Sequence, residues 1–241
     1  MAGEHKMYIE DERRDQHRNP NNQSSRHPKP NIDMASASSP ESLAERISGA
    51  CAILVLAPSP GSHDDEACAD LLTLTEPADE TVLSVTVTQT AEERVQEWDT
   101  HIDEWPAQMG IISTGEFTRS ATATTSSAHH LTEPLEIEAI SDPADLTGLG
   151  ITINTFLSEW ADREQQIVVC VHSLTPLLQY VDLQRLFRFL HVLIRRFQTQ
   201  DAVAHFHLDP NAHDAQTVNI LTQLVGAVVE LDADGDWRVN Q

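Results

Sequence analysis

A chain of 241 residues carrying 38 acidic against 15 basic side chains, with a net charge of -23, has room for one large domain and a strongly self-repelling surface. Residues 1–40 balance six basic side chains (Lys6, Arg13, Arg14, Arg18, Arg26, Lys29) against six acidic ones, so the surplus falls entirely on the remainder, which contains no lysine. That remainder excludes binding to a nucleic-acid backbone, which needs clustered Lys or Arg. It suits molar salt, where the Debye length shrinks to about 3 Å and carboxylates hold water and cations at the surface.

No apolar run reaches transmembrane length and the N-terminus is polar, so no membrane is expected and the cytoplasm is the expected location. Cys51, Cys68 and Cys170 are odd in number, far apart and set in apolar stretches. They read as buried thiols of a reducing compartment, with neither a disulfide framework nor a zinc knuckle. Residues 1–40, rich in Asn, Pro, Ser and His, bury too little to offset ordering and are expected to be a disordered tail. Its lysines and neutrality contrast with the rest, and Met34 sits just before the change. A native start at Met34 and ordinary linker composition both account for that.

Residues 41–241 alternate between strand and helix patterns. Ser39-Pro40-Glu41-Ser42 opens a short helix through Leu43, Arg46 and Ile47, and Gly49 closes it. Cys51 to Ala57 is a continuous apolar run, suited to a strand buried on both faces, and a helix is expected from about Asp64 to Leu74. Val82–Val87 is a second strand, Ala91 to about Trp105 a helix, and Met109–Ser113 a third strand. Residues 116–134, rich in Ser, Thr and Ala, read as a mobile loop, and Ile137–Ile140 as a further strand. Asp142-Pro143 opens a helical stretch through Trp160, and Ile167–Val171 is another fully buried strand leading to an apolar helix over 183–197. Ala202–Phe206 and Ala227–Leu231 are the last core strands, flanking a helix near 214–225, and Asp234-Gly235 marks a hairpin turn. The pattern predicts an α/β fold, a mostly parallel sheet with helices on both faces.

Ligands of such sheets bind beyond the carboxyl ends of the strands. The first such end is the turn Ser59-Pro60-Gly61-Ser62-His63-Asp64, where a phosphate loop would need glycines, a lysine and a Ser/Thr for magnesium. Gly61 is present, the lysine is not, and Asp64-Asp65-Glu66 put negative charge where a triphosphate would sit.

The order of segments over about residues 50–232 resembles the KaiC-type branch of the RecA-like ATPases. Val82 to Glu93 is similar to that family's second strand and following helix, with Thr88 and Gln89 where the resemblance places a catalytic carboxylate pair. Ile167 to Leu174 is similar to the Walker B strand, with His172 in place of the magnesium-orienting Asp and Ser173 after it. The chain also looks close to a group of uncharacterised haloarchaeal proteins that share these departures. The resemblance implies a three-layer RecA-like domain, and the joint loss of lysine, magnesium carboxylate and catalytic carboxylate implies a pseudo-ATPase. A cleft so altered is a poor host for ATP and magnesium, and no cofactor is expected. The resemblance then points to a non-catalytic regulatory or interaction module, with KaiC-like ATPases, signalling proteins or further copies of itself as expected partners.

A different reading starts from histidine. His172 ends one strand, and His205-Phe206-His207-Leu208-Asp209 ends another; His205 and His207 share a face, the arrangement by which a strand offers two imidazoles to a metal. His172, His205, His207 and Asp209 are thus the candidate set for a metal-dependent enzyme or a small-ligand sensor, against a plain role as capped strand-end residues. A serine hydrolase built on Ser173 lacks the Gly-x-Ser-x-Gly elbow. A slow ATPase would need a cation donated by a neighbouring subunit. The helix over 183–197 holds four of the nine arginines that come after the tail, Arg185, Arg188, Arg195 and Arg196, expected to pair with acidic neighbours or serve a partner.

Overall fold

The computed structural model describes residues 43–47, 49–58, 68–69, 71, 75–87, 89–101, 104–115, 135–231 and 237–241. The expected tail, the loop over 116–134, the turn at Asp234-Gly235 and most of the helix expected from Asp64 to Leu74 lie outside these residues. After a short helix, α1 (Leu43–Arg46), the first strand is β1 (Ala52–Leu56), followed by β2 (Glu80–Thr86), α2 (Ala91–His101), β3 (Gln108–Thr114) and β4 (Leu135–Ile140). Then come α3 (Leu146–Glu159), β5 (Gln166–His172), α4 (Leu174–Tyr180), α5 (Leu183–Thr199), β6 (Val203–Leu208), α6 (Ala215–Thr222), β7 (Ala227–Leu231) and β8 (Trp237–Asn240).

The eight strands form one sheet in the order β4-β3-β2-β5-β6-β1-β7-β8. Seven are parallel and β8 alone runs antiparallel, against β7. Continuous apolar runs make this possible, since a strand covered by helices on both faces has no solvent side on which to place polar residues. The fold is therefore the three-layer α/β arrangement of a RecA-like domain.

Its two faces differ in chemistry. Leu54, Leu83, Val85, Val169, Val171, Ala204 and Phe206 point to the side covered by α3, α4, α5 and α6, and form one large apolar cluster with Ile153, Phe156, Trp160, Leu186 and Phe197. The opposite side is covered by α1, a helical segment containing Cys68 and Leu71, and α2, and its apolar residues fall into two smaller clusters. Between these clusters the sheet presents polar side chains.

Several boundaries differ from the sequence reading for local reasons. The helix after Pro143 begins at Leu146, because Asp145 rather than Asp142 caps it, accepting from the Gly148 amide at 2.8 Å. Helix α2 stops at His101, short of Trp105, whose ring instead packs edge-on against Trp98 with centroids 6.4 Å apart. A helix not anticipated, α4, comes directly after β5. Strand β6 runs on to Leu208 because its alternation of Ala204, Phe206 and Leu208 with His205 and His207 continues, with both sets buried.

Gly110 in β3 marks the tightest part of the larger core. A Cβ there would lie 2.7 Å from a ring carbon of Phe156 and 3.0 Å from one of Trp160, both buried. Overpacking outweighs the entropic gain of removing a glycine, so Gly110→Ala is expected to destabilise the fold by about 1–3 kcal/mol. A urea unfolding curve with an unchanged slope and a lowered midpoint is the expected result.

Candidate functional site

The carboxyl edge of the sheet brings together the ends of β2, β5 and β6. Thr86 and His172 are register partners at the ends of β2 and β5. Thr86 closes the turn after β2 by itself, its hydroxyl donating to the Gln89 carbonyl (2.8 Å) and accepting from the Gln89 amide (3.1 Å). The Gln89 side-chain amide donates to Glu97 of α2. Ser59, Gly61, Ser62, His63, Asp64 and Thr88 lie outside the described residues.

His172 is half-buried, its ring centroid 4.8 Å from that of His207, and a cis peptide links it to Ser173. Ser173 stands at the N-terminal boundary of α4 and its side chain makes no capping bond. Asp209 is drawn away from the histidines. Its carboxylate accepts from the Asn211 amide at 2.8 Å, capping the turn Pro210–Ala212, and its own amide donates to Thr175 of α4. Of the four candidates named from the sequence, His205, His207 and His172 gather and Asp209 does not.

Two cysteines complete the gathering. Cys170 is the register partner of His205 across β5 and β6, so both side chains leave the same face of the sheet. Cys68, far away in sequence, is brought down on them by its helical segment, with its sulfur 3.1 Å from that of Cys170 and 3.5 Å from His205 Nε2. Two of the three cysteines that look unclustered along the chain, Cys68 and Cys170, thus meet in space, and Cys51 stays apart. One ligand atom each from Cys68, Cys170, His205 and His207 lies within 4.8 Å of all the others, and all four residues are at most 1% exposed.

Over this cluster lies Arg94 of α2, itself fully buried. It donates to Cys68 Sγ (2.7 Å), Cys170 Sγ (3.5 Å), Ser84 Oγ (3.4 Å) and Glu97 (3.0 Å), and its guanidinium sits 5.0 Å from the centre of the Trp98 ring. Burial alone would raise the Cys68 thiol, but the hydrogen bond with Cys170 and the Arg94 charge outweigh it and hold Cys68 well below the ordinary thiol range. Burial likewise works against the Arg94 charge, yet the neighbouring sulfurs and Glu97 raise its pKa further. Burial keeps His205 below the ordinary imidazole value and therefore neutral at pH 7. Its Nδ1 has no hydrogen-bond partner among the described residues. Two sulfurs beside two imidazoles are the donor set of a soft-metal site.

On the opposite side of the sheet, α3 and α5 enclose an open groove of about 600 Å³ that includes Gly150, Ile151, Phe189 and Val192. Arg185, Arg188 and Arg196 rim it. Among the described residues none of the helix's four arginines meets a carboxylate. Arg185 donates to the Ala144 carbonyl (3.1 Å) and Arg196 to Ser158 (3.3 Å).

The fold is that of a RecA-like α/β domain. The chain belongs to the family of unknown function DUF7504, whose pattern spans residues 50–231. No curated protein matches it. Among solved structures it is similar to the protein PH0250 of Pyrococcus horikoshii OT3, at 10% identity over 79% of this chain and 85% of that one, with a TM-score of 0.50. It is also similar to the flagellar accessory protein FlaH of Methanocaldococcus jannaschii, at 13% identity over 78% and 75%, with a TM-score of 0.43. Identities this low speak to fold alone. No helix among the described residues is long and apolar enough to cross a membrane.

Arg94 cannot be replaced by a shape alone, because its charge answers Cys68 and Glu97 together. Arg94→Met is expected to cost roughly 3 kcal/mol, whereas Glu97→Gln, at a part-buried carboxylate whose replacement keeps a neutral acceptor, should cost less, about 1–2 kcal/mol. Paired thermal and urea unfolding curves of the two variants check the ratio.

Proposed function

We propose that this protein is a RecA-like module that does not turn over ATP and works by binding other proteins in a salt-adapted cytoplasm. The observation that carries the reading is the imidazole of His172 at the end of β5, packed against His207 where the RecA-like resemblance calls for a magnesium carboxylate. Imidazole at neutral pH offers no anionic oxygen for magnesium, a hard cation. Two features agree with it. Gln89 is engaged by Glu97 rather than facing a nucleotide, and residues 41–241 contain no lysine to offset phosphate charge.

The groove between α3 and α5 favours binding as the remaining role. Ile151 and Val192 are 64% and 68% exposed there, beside three arginines on a chain whose net charge is -23. An apolar floor with a basic rim suits an acidic protein segment with an apolar face, laid along the groove.

The first measurement is ATP binding by calorimetry and phosphate release in molar potassium chloride with magnesium. No turnover above background is the expected outcome, and sustained turnover abolished by His172→Ala would overturn the reading. For the groove, Val192→Glu is expected to leave the unfolding midpoint within about 0.5 kcal/mol of the parent, since the side chain is exposed. The same change should weaken a fluorescently labelled acidic amphipathic peptide at least tenfold. A peptide that binds parent and variant alike would remove the groove from the proposal.

A further inference from the structure

We infer that Cys68, Cys170, His205 and His207 form a closed tetrahedral zinc site, buried between the sheet and the helical layer that carries Cys68 and α2. The inference needs no assumption about ATP turnover, although His207 also packs against His172 at the end of β5.

Three observations converge. The donor set is two sulfurs and two imidazoles, which is the composition zinc takes in structural sites. The donors come from three separate elements, the helical segment around Cys68, β5 and β6, so their meeting is a product of tertiary structure and not of local sequence. The spacing fits. Zinc–sulfur bonds of about 2.3 Å in a tetrahedron set two sulfurs roughly 3.8 Å apart, and an imidazole nitrogen roughly 3.6 Å from each sulfur. The observed sulfur–nitrogen distance is 3.5 Å, and the sulfurs, at 3.1 Å, need to part by well under 1 Å.

Charge balance explains how such a site is tolerated where no water reaches. Zinc with two thiolates and two neutral imidazoles is neutral, and Arg94 with Glu97 is neutral beside it. Arg94 then acts as the outer partner of both sulfurs, a donor that orients them and damps their charge. On binding, each thiol that is still protonated gives its proton to solvent, so affinity weakens in acid. All four ligand side chains are shut off from solvent, with no open position for a substrate, which assigns the ion a structural role: it pins the Cys68 segment to β5 and β6.

The rival for a close pair of sulfurs is a disulfide, which would leave both histidines without a purpose. The experiment separates the two. The full chain is purified in molar potassium chloride without chelator, and its zinc is measured by elemental mass spectrometry beside an intact-mass spectrum without reductant. The metal-free chain is then titrated with Co²⁺. The expected result is one zinc per chain, free thiols, and the intense d–d bands and thiolate charge-transfer band of tetrahedral cobalt. Zinc removal should lower the thermal midpoint by several degrees. Cys170→Ser and His205→Gln should each lose the cobalt spectrum, while Cys51→Ser, a cysteine outside the cluster, should retain it. If either ligand variant fails to fold, the parent titration still decides. A parent chain that takes up no cobalt and gains no thermal stability from equimolar zinc overturns the proposal. A Cys68–Cys170 disulfide in the native chain overturns it equally.

Discussion

Arg94 places a full positive charge in a layer that water does not reach, and much of the surrounding arrangement is an answer to that charge. A guanidinium carries five donors and cannot be neutralised by losing a proton, so the protein has to supply acceptors and negative charge from every side. It does so from four elements: sulfur from the Cys68 segment, sulfur from β5, a hydroxyl from β2 and a carboxylate from α2's own next turn. The Trp98 ring covers the remaining face. One side chain thus ties α2 and the Cys68 segment to the middle of the sheet. The apolar clusters on this side are small, and without that tie little else would fix how the helical layer sits.

The same constraint fixes the register of the sheet. Cys170 and His205 are partners across β5 and β6, and side chains alternate strictly along each strand. Slipping β6 by one residue would turn Ala204 and Phe206 toward Arg94, and His205 and His207 into the apolar cluster beneath α5. Apolar packing alone discriminates weakly between registers when strands are hydrophobic on both faces. The buried polar set removes that ambiguity, because a misplaced imidazole loses its partners and gains the desolvation penalty of a hydrocarbon core.

The range of the forces involved decides how much of this was legible in the chain. Strands β1 and β5 were legible because a strand buried on both faces is apolar throughout, and that condition is written in the consecutive residues Ala52–Leu56 and Ile167–Val171. Helix α4 escaped notice because Pro176 and its brevity mask any periodicity. The two histidines of β6 were visible as a pair on one face. Their true partners were not, since 102 residues separate Cys68 from Cys170 and no local pattern records such a meeting. A signal did exist. Ala91, Arg94 and Trp98 share one face of α2, so the arginine lies on the stripe that must be buried, and a buried arginine demands acceptors that an apolar strand can supply only through a residue such as Cys170.

The two faces of the sheet therefore do different physical work. The side under α3 to α6 gathers Phe156, Trp160, Leu186, Phe197 and Phe206 into the large cluster, whose contribution scales with buried area and tolerates conservative exchange. The polar set under α2 is directional and intolerant, because Arg94, Ser84, Cys68, Cys170 and His205 are hydrogen-bonding or charged groups set against particular neighbours. His172 extends the polar face by one more position on β5, stacking on His207, while the α3–α5 groove lies on the far side with its arginines free of carboxylates among the described residues. The sheet thus carries sulfur and imidazole on one face near its carboxyl edge and hydrocarbon on the other, so that one layer is held by matched polar partners and the other by buried area.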